Sequence, residues 1–238
     1  MSQESKYIRS LVENTRNGNR TAFEQLYKIH TGSVYAISIR LLGSPELAEE
    51  NTTKVFLEVW RTRKFVRRDS PFILWLTAVT VFFALDKLRN SVERTETIFP
   101  LTNGSRFLPL DLKIFALPDL GRAVFVLKEI QHYEIDEIVD LLSKPKNEVE
   151  DLLLAAKENL IRELSLNSLS ALQEELKHLP ESIEPFKDLF VPVAATMESV
   201  LEETNSSPLV KSFNEKSQGR KSGDPKKPFT FWGLFKKK

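Results

Sequence analysis

The sequence predicts an all-α protein: two small helical domains, then a helical extension and a disordered tail. Three observations carry that expectation. Apolar residues recur at offsets of three, four and seven, with no competing strand pattern. Serine–proline pairs at Ser44-Pro45 and Ser70-Pro71 mark helix starts. A stretch holding Pro100, Asn103, Gly104 and Pro109 interrupts the periodicity near the middle of the chain.

Residues 1–90 form the first domain. Gly18-Asn19 separates a short helix from a second one with Ala22, Phe23, Leu26 and Tyr27 on one face, continued by Val34, Ile37 and Leu41 until Gly43 stops it. Ser44 caps the next helix, and Glu46, Glu49 and Glu50 lie near the positive end of its dipole. From Ser70-Pro71 an apolar helix runs to near Arg89. Its uncharged run, Ser70 to Leu85, is sixteen residues, short of the roughly 20 that cross a bilayer, and reads as a helix buried in a core.

Residues 91–116 read as a linker. In 117–165, short helices over Asp119 to Gln131 and Glu134 to Leu142 precede a longer one opened by Pro145, with Val149, Leu152, Leu153, Ala156, Leu160 and Leu164 on one face. That is the outline of a helix-turn-helix. Residues 166–205 form the helical extension, with a helix from Leu169 to Leu179 broken at Pro180. Pro185 and Pro192 then bracket PFKDLFVP before a last helical stretch to about Glu203. Residues 206–238, rich in serine, glycine, proline and lysine, make a basic tail that buries too little apolar surface to order.

The 238 residues carry 34 basic and 33 acidic side chains, a net charge of +1. Split by segment, the balance is +5 over 1–90, −11 over 91–205 and +7 over 206–238. The near-zero total therefore hides a basic head, an acidic middle and a basic tail. With no cysteine there are no disulfides, thiolate ligands or thiol nucleophiles. The N-terminus lacks the apolar core of a signal peptide, and the expected compartment is the cytoplasm.

Nothing in the pattern points to an enzyme. His30, His132 and His178 are far apart, and there is neither a G-x-S-x-G nor a glycine-rich phosphate loop. Adjacent acids such as Glu49-Glu50, Glu174-Glu175 and Glu202-Glu203 do not face each other on a helix. No catalytic residue, metal site or cofactor is expected. The basic cluster Arg61, Arg63, Lys64, Arg67 and Arg68 is interleaved with Trp60, Phe65, Phe72 and Trp75. Two readings are open: cations on phosphate with aromatics stacked on unpaired bases, or a solvated basic loop beside aromatics that fill the core.

Residues 20–89 carry Ala22-Phe23, Leu26-Tyr27, Val34-Tyr35-Ala36, Ala48-Glu49-Glu50, Val55-Phe56-Leu57, Val59-Trp60, Phe72, Trp75-Leu76, Asp86 and Arg89. In this they resemble region 2 of the small two-domain bacterial RNA polymerase sigma factors, the extracytoplasmic-function class. Residues 117–164 resemble region 4 through Leu117-Pro118, Arg122 to Phe125, Leu127, Glu137-Ile138-Val139, Leu141-Leu142, Val149, Ala156-Lys157 and Leu160. The resemblance implies a transcription initiation factor binding core RNA polymerase and promoter DNA, with an anti-sigma factor as a further partner. By that resemblance Glu49, Glu50, Phe56 and Trp60 bind polymerase. Arg61, Arg63, Lys64, Arg67, Arg68, Lys87 and Arg89 contact −10 DNA. Lys144, Lys146, Asn147 and Lys157 are weak −35 candidates.

The sequence departs from the family pattern at Glu50, Thr53 and Phe82, and most of all at Asn147-Glu148-Val149-Glu150-Asp151-Leu152 and Ala155. Residues 117–164 hold 6 basic and 11 acidic side chains, the wrong balance for a phosphate backbone. The expectation is weakened −35 recognition. The alternative is a degenerate sigma-like adaptor or regulator acting through protein partners such as an anti-sigma factor. Residues 171–190 faintly resemble the juxtamembrane segment of some anti-sigma factors, and read either as a built-in inhibitor or, by preference, as a plain extension. Lys226-Lys227 and Lys236-Lys237-Lys238 flank Phe229, Phe231, Trp232 and Phe235. That mixture suits weak contact with an anionic membrane surface, or a solubilising or DNA-tethering role.

Overall fold

The structure, a computed structural model, describes residues 6–66, 71–90, 109–185 and 188–202. Among these the regular elements are all helical. Helix α1 (Lys6–Arg16) leads into α2 (Arg20–Leu42), whose first turn is capped by the Asn19 side chain accepting from the Ala22 N–H. Gly43 ends α2 at φ 68°, a left-handed conformation suited to glycine, and its N–H donates to the Ile39 carbonyl at 2.8 Å. Helix α3 (Pro45–Arg61) starts as the sequence predicts, with the Ser44 hydroxyl accepting from the Leu47 N–H at 3.3 Å. The expected cap at Ser70 lies outside the described residues. Helix α4 (Phe72–Asn90) is buried along most of its apolar length. No helix among the described residues is long and apolar enough to cross a membrane.

Helices α1–α4 pack as a bundle. Phe56 of α3 meets Tyr27 edge-on at 4.7 Å and Phe23 at 6.3 Å, and all three rings are buried. One polar link crosses this core: the Asn51 amide donates to Ser38 Oγ at 2.9 Å and to the Thr80 carbonyl at 3.3 Å, joining α3 to α2 and α4. Its donors are thereby satisfied away from water, the condition for a tolerated buried amide.

Helix α5 (Pro109–Phe115) lies inside the stretch expected as a linker. Pro109 occupies a first-turn position where its missing N–H costs nothing, and Leu110 and Ile114 bury the inner face. Asp111 reaches the Arg40 guanidinium of α2 at 3.2 Å, and both side chains are almost fully enclosed. Helix α6 (Asp119–Phe125) widens into a π turn at Val126–Ile130. Helices α7 (Ile135–Leu142) and α8 (Lys146–Glu163) are joined through Ser143 at φ 49°, giving the predicted helix-turn-helix outline. A reciprocal capping box between Glu134 and Glu137 opens α7.

Val124, Leu127, Tyr133 and Ile138 join the apolar core of α1–α4, so the bundle and the helix-turn-helix unit meet in one continuous interior. A second cluster, including Leu110, Ile114, Phe125, Leu160 and Leu172, ties α5 and α8 to α9 (Leu169–Leu176). Helix α10 (Phe190–Glu202) takes Pro192 into its first turn. It therefore starts before the proline expected to bracket it, because a first-turn proline breaks no helical hydrogen bond. The expected disordered tail at 206–238 lies outside the described residues.

Candidate functional site

The C-terminal end of α3 and the turn after it carry the described part of the basic cluster. Arg61 donates to Glu58 at 3.1 Å. Arg63 lies over the Trp60 ring, 4.4 Å from its centroid, and donates to the Trp60 carbonyl at 2.8 Å. Partial burial lowers the Arg63 pKa, and the guanidinium stays charged because it starts far above neutrality. Lys64 is exposed at the tip of the 3₁₀ turn Arg63–Phe65. Arg16 of α1 donates to the Val66 carbonyl and anchors this turn to the bundle. Arg67 and Arg68 lie outside the described residues.

Three of the aromatics interleaved with the basic cluster lie in the core. Trp60, Phe72 and Trp75 are 3%, 2% and 7% exposed, so they fill the core and present no face for a base to stack on. Phe56 is fully enclosed as well. Glu49 is also buried, whereas Glu50 is exposed on the side of α3 that faces α4. There it accepts two hydrogen bonds from Lys87, at 2.9 and 3.0 Å. A residue expected on polymerase and one expected on DNA are therefore ion-pair partners. Arg89, two residues on, is exposed.

On the helix-turn-helix unit each lysine among the −35 candidates is engaged by a carboxylate. Lys144 holds Glu148 at 2.5 Å, Lys146 holds Asp136 at 3.0 Å and Lys157 holds Glu129 at 2.8 Å. The hydrogen bond and charge of Asp136, with a smaller contribution from Glu150, raise the Lys146 pKa. Glu150, Asp151, Leu154 and Glu158 share the exposed face of α8, and Asn147 is exposed near its start. The helix that is expected to enter a groove thus presents acids, with its two lysines each paired to a carboxylate.

The sequence does not foretell that α10 and the segment before it pack on α2 and α3. The Trp60 indole N–H donates to the Met197 carbonyl of α10 at 3.2 Å, and Tyr27 packs on Phe190 at 4.9 Å between ring centroids. The Ile183 N–H donates to the Gly32 carbonyl of α2 at 3.1 Å. A glycine in the interior of a long helix was the available signal, since it marks a close approach of another segment. Among the described residues no group of His, Asp and Glu is arranged to hold a metal ion.

These features define an all-α protein in which a four-helix bundle has a basic turn after its third helix and carries a helix-turn-helix unit against its flank. No protein-family model matches the chain. It is 33% identical over 140 residues to the RNA polymerase sigma factor CarQ of Myxococcus xanthus, covering 53% of this chain and 80% of CarQ. It is 24% identical over 180 residues to SigW of Bacillus subtilis (strain 168), an extracytoplasmic-function sigma factor, covering 66% of this chain and 96% of SigW. Its fold is shared with the sigma factor RpoE of Bartonella quintana, solved in complex with the anti-sigma factor NepR. That match has a TM-score of 0.53 at 14% identity, over 61% of this chain and 98% of that one. The chain belongs to the RNA polymerase sigma factors of the extracytoplasmic-function class, as a divergent member.

Proposed function

We propose that this sigma factor binds core RNA polymerase through α3 and contacts −10 promoter DNA through the basic turn that follows, with −35 recognition by α8 weakened. Residues 1–90 and 117–165 then act as the region 2-like and region 4-like units, 91–116 as the connection, 166–205 as the extension and 206–238 as the basic tail. Glu49 and Glu50 serve polymerase; Phe56 and Trp60 support α3 from inside the core. Arg61, Arg63, Lys64, Arg67, Arg68, Lys87 and Arg89 serve DNA. The observation that carries the weakened −35 reading is the pairing of Lys144, Lys146 and Lys157 with Glu148, Asp136 and Glu129. A cation already held by a carboxylate releases fewer counterions on meeting phosphate. The protein acts in the cytoplasm, and its regulatory partner is an anti-sigma factor, by analogy with the RpoE–NepR complex.

The acidic face of α8 also favours a second reading, an adaptor that keeps polymerase or anti-sigma binding and has lost promoter selection. Pull-down with core polymerase followed by transcription from a candidate promoter separates the two. Binding with promoter-specific initiation supports the first, and binding without it supports the adaptor. Failure to bind core removes the polymerase role from both.

A further inference from the structure

We propose that residues 182–185 and 188–202 belong to a strap that occupies the α2–α3 face in cis and withholds it from core polymerase. This rests on the polymerase reading given above. The strap is fastened at both ends. At one end Ile183 pairs with the Gly32 carbonyl at 3.1 Å and packs beside Tyr35 and Ile39. At the other, α10 sinks Val193 and Met197 into the bundle core, 0% and 2% exposed, and takes the Trp60 indole hydrogen bond on the Met197 carbonyl. Arg20 of α2 adds a long contact to the Ala194 carbonyl at 3.5 Å. Trp60, at the C-terminal end of the helix expected to dock on polymerase, is thus covered by a segment of its own chain, while Glu50 stays exposed.

Gly32 supplies an independent sign that α2 is shaped for this segment. Glycine inside a helix is unfavourable relative to alanine, yet it stands mid-way along the 23-residue α2. A Cβ placed there meets Ser182 Oγ at 2.1 Å, and Ser182 Cβ and Glu184 Oε1 at 3.5 Å. The nearest atoms all belong to the strap. The hydrogen bonds that Trp60 and Arg20 make to α10 end on backbone carbonyls, and the buried grip of α10 comes from apolar side chains. Such a helix is exchangeable for another amphipathic helix presented by a partner.

The absence of cysteine allows a reversible lock. Gly32→Cys with Ser182→Cys puts two Cβ atoms 3.5 Å apart, within the roughly 3.5–4.5 Å that disulfides use. The full-length double variant is oxidised, checked by non-reducing electrophoresis and circular dichroism, and titrated with core polymerase before and after reduction. The expected result is binding at least about tenfold weaker when locked, because apparent affinity scales with the open fraction. Gly32→Leu, which fills the strap's seat with a better helix former, is expected to bind about tenfold tighter than the unaltered chain. Equal binding by the oxidised and reduced forms overturns the strap while leaving the polymerase reading intact. No binding by any form, Gly32→Leu included, overturns the polymerase reading and the strap with it.

Discussion

Tyr133, ahead of α7, and Thr77 of α4 share a hydrogen bond of 2.7 Å, buried in the seam where the helix-turn-helix unit meets the bundle. Burial pushes the Tyr133 phenol up to about 12, against about 10 in an unfolded chain. Its contribution is complete below pH about 10 and is lost as pH rises through 12, because the unfolded state ionises first. Tyr133→Phe is expected to cost about 1 kcal/mol at neutral pH, the worth of one neutral hydrogen bond. It should also flatten the alkaline decline, leaving the slopes from Tyr27, whose phenol burial likewise raises, and from Lys146, which Asp136 raises. Urea titrations at about pH 8 and about pH 11 measure both effects.

Arg40 and Asp111 place an ion pair in the interior, with side chains 0% and 3% exposed. Burial lowers the Arg40 pKa, and the charge and hydrogen bond of Asp111 oppose that shift. Asp111→Asn is expected to destabilise the fold by about 3–5 kcal/mol, because it strands a buried cation. Arg40→Met combined with an apolar residue at 111 should recover most of that loss. A double-mutant cycle read by chemical denaturation checks the pair, and additive losses would contradict it.

His30 of α2 packs on Phe72, with ring centroids 5.4 Å apart, and burial lowers its pKa to about 4. The unfolded imidazole titrates near 6.5, so between about pH 6.5 and 4 the unfolded state binds more protons and stability falls with pH. The loss approaches about 3 kcal/mol at the acid end. His30→Leu is expected to remove this limb, leaving only the carboxylate transitions below it. Midpoints of urea unfolding across that range test the prediction.

Much of the fold is legible in the sequence because its signals are local. Asn19, Gly43 and Ser44-Pro45 each act within one turn of their helix, and all three stand where they were expected. Helix α5 was not legible: seven residues show barely two turns of periodicity, and its anchor, Arg40, lies 71 positions away. The site divides in the same way. The Arg61–Arg68 cluster is visible as composition, and the Lys144–Glu148 pair as an i,i+4 spacing. The pairing of Lys87 with Glu50, and the burial of Trp60 under α10, depend on helices brought together by packing.

The acidic face of α8 yields the sharpest test of promoter recognition. Glu150 and Asp151 are both exposed, so replacing them with lysine disturbs no core contact and should change stability by no more than about 0.5 kcal/mol. Should α8 lie along a DNA groove, two new cations would each neutralise a phosphate. The log of the binding constant would then fall more steeply with log salt, by about 2 in slope, and affinity for duplex DNA at low salt would rise. Fluorescence anisotropy over a salt series reads both quantities. We expect that gain for Glu150→Lys with Asp151→Lys. An unchanged slope would mean that this face of α8 does not meet phosphate, and the adaptor reading would then account better for a helix whose lysines are all engaged by carboxylates.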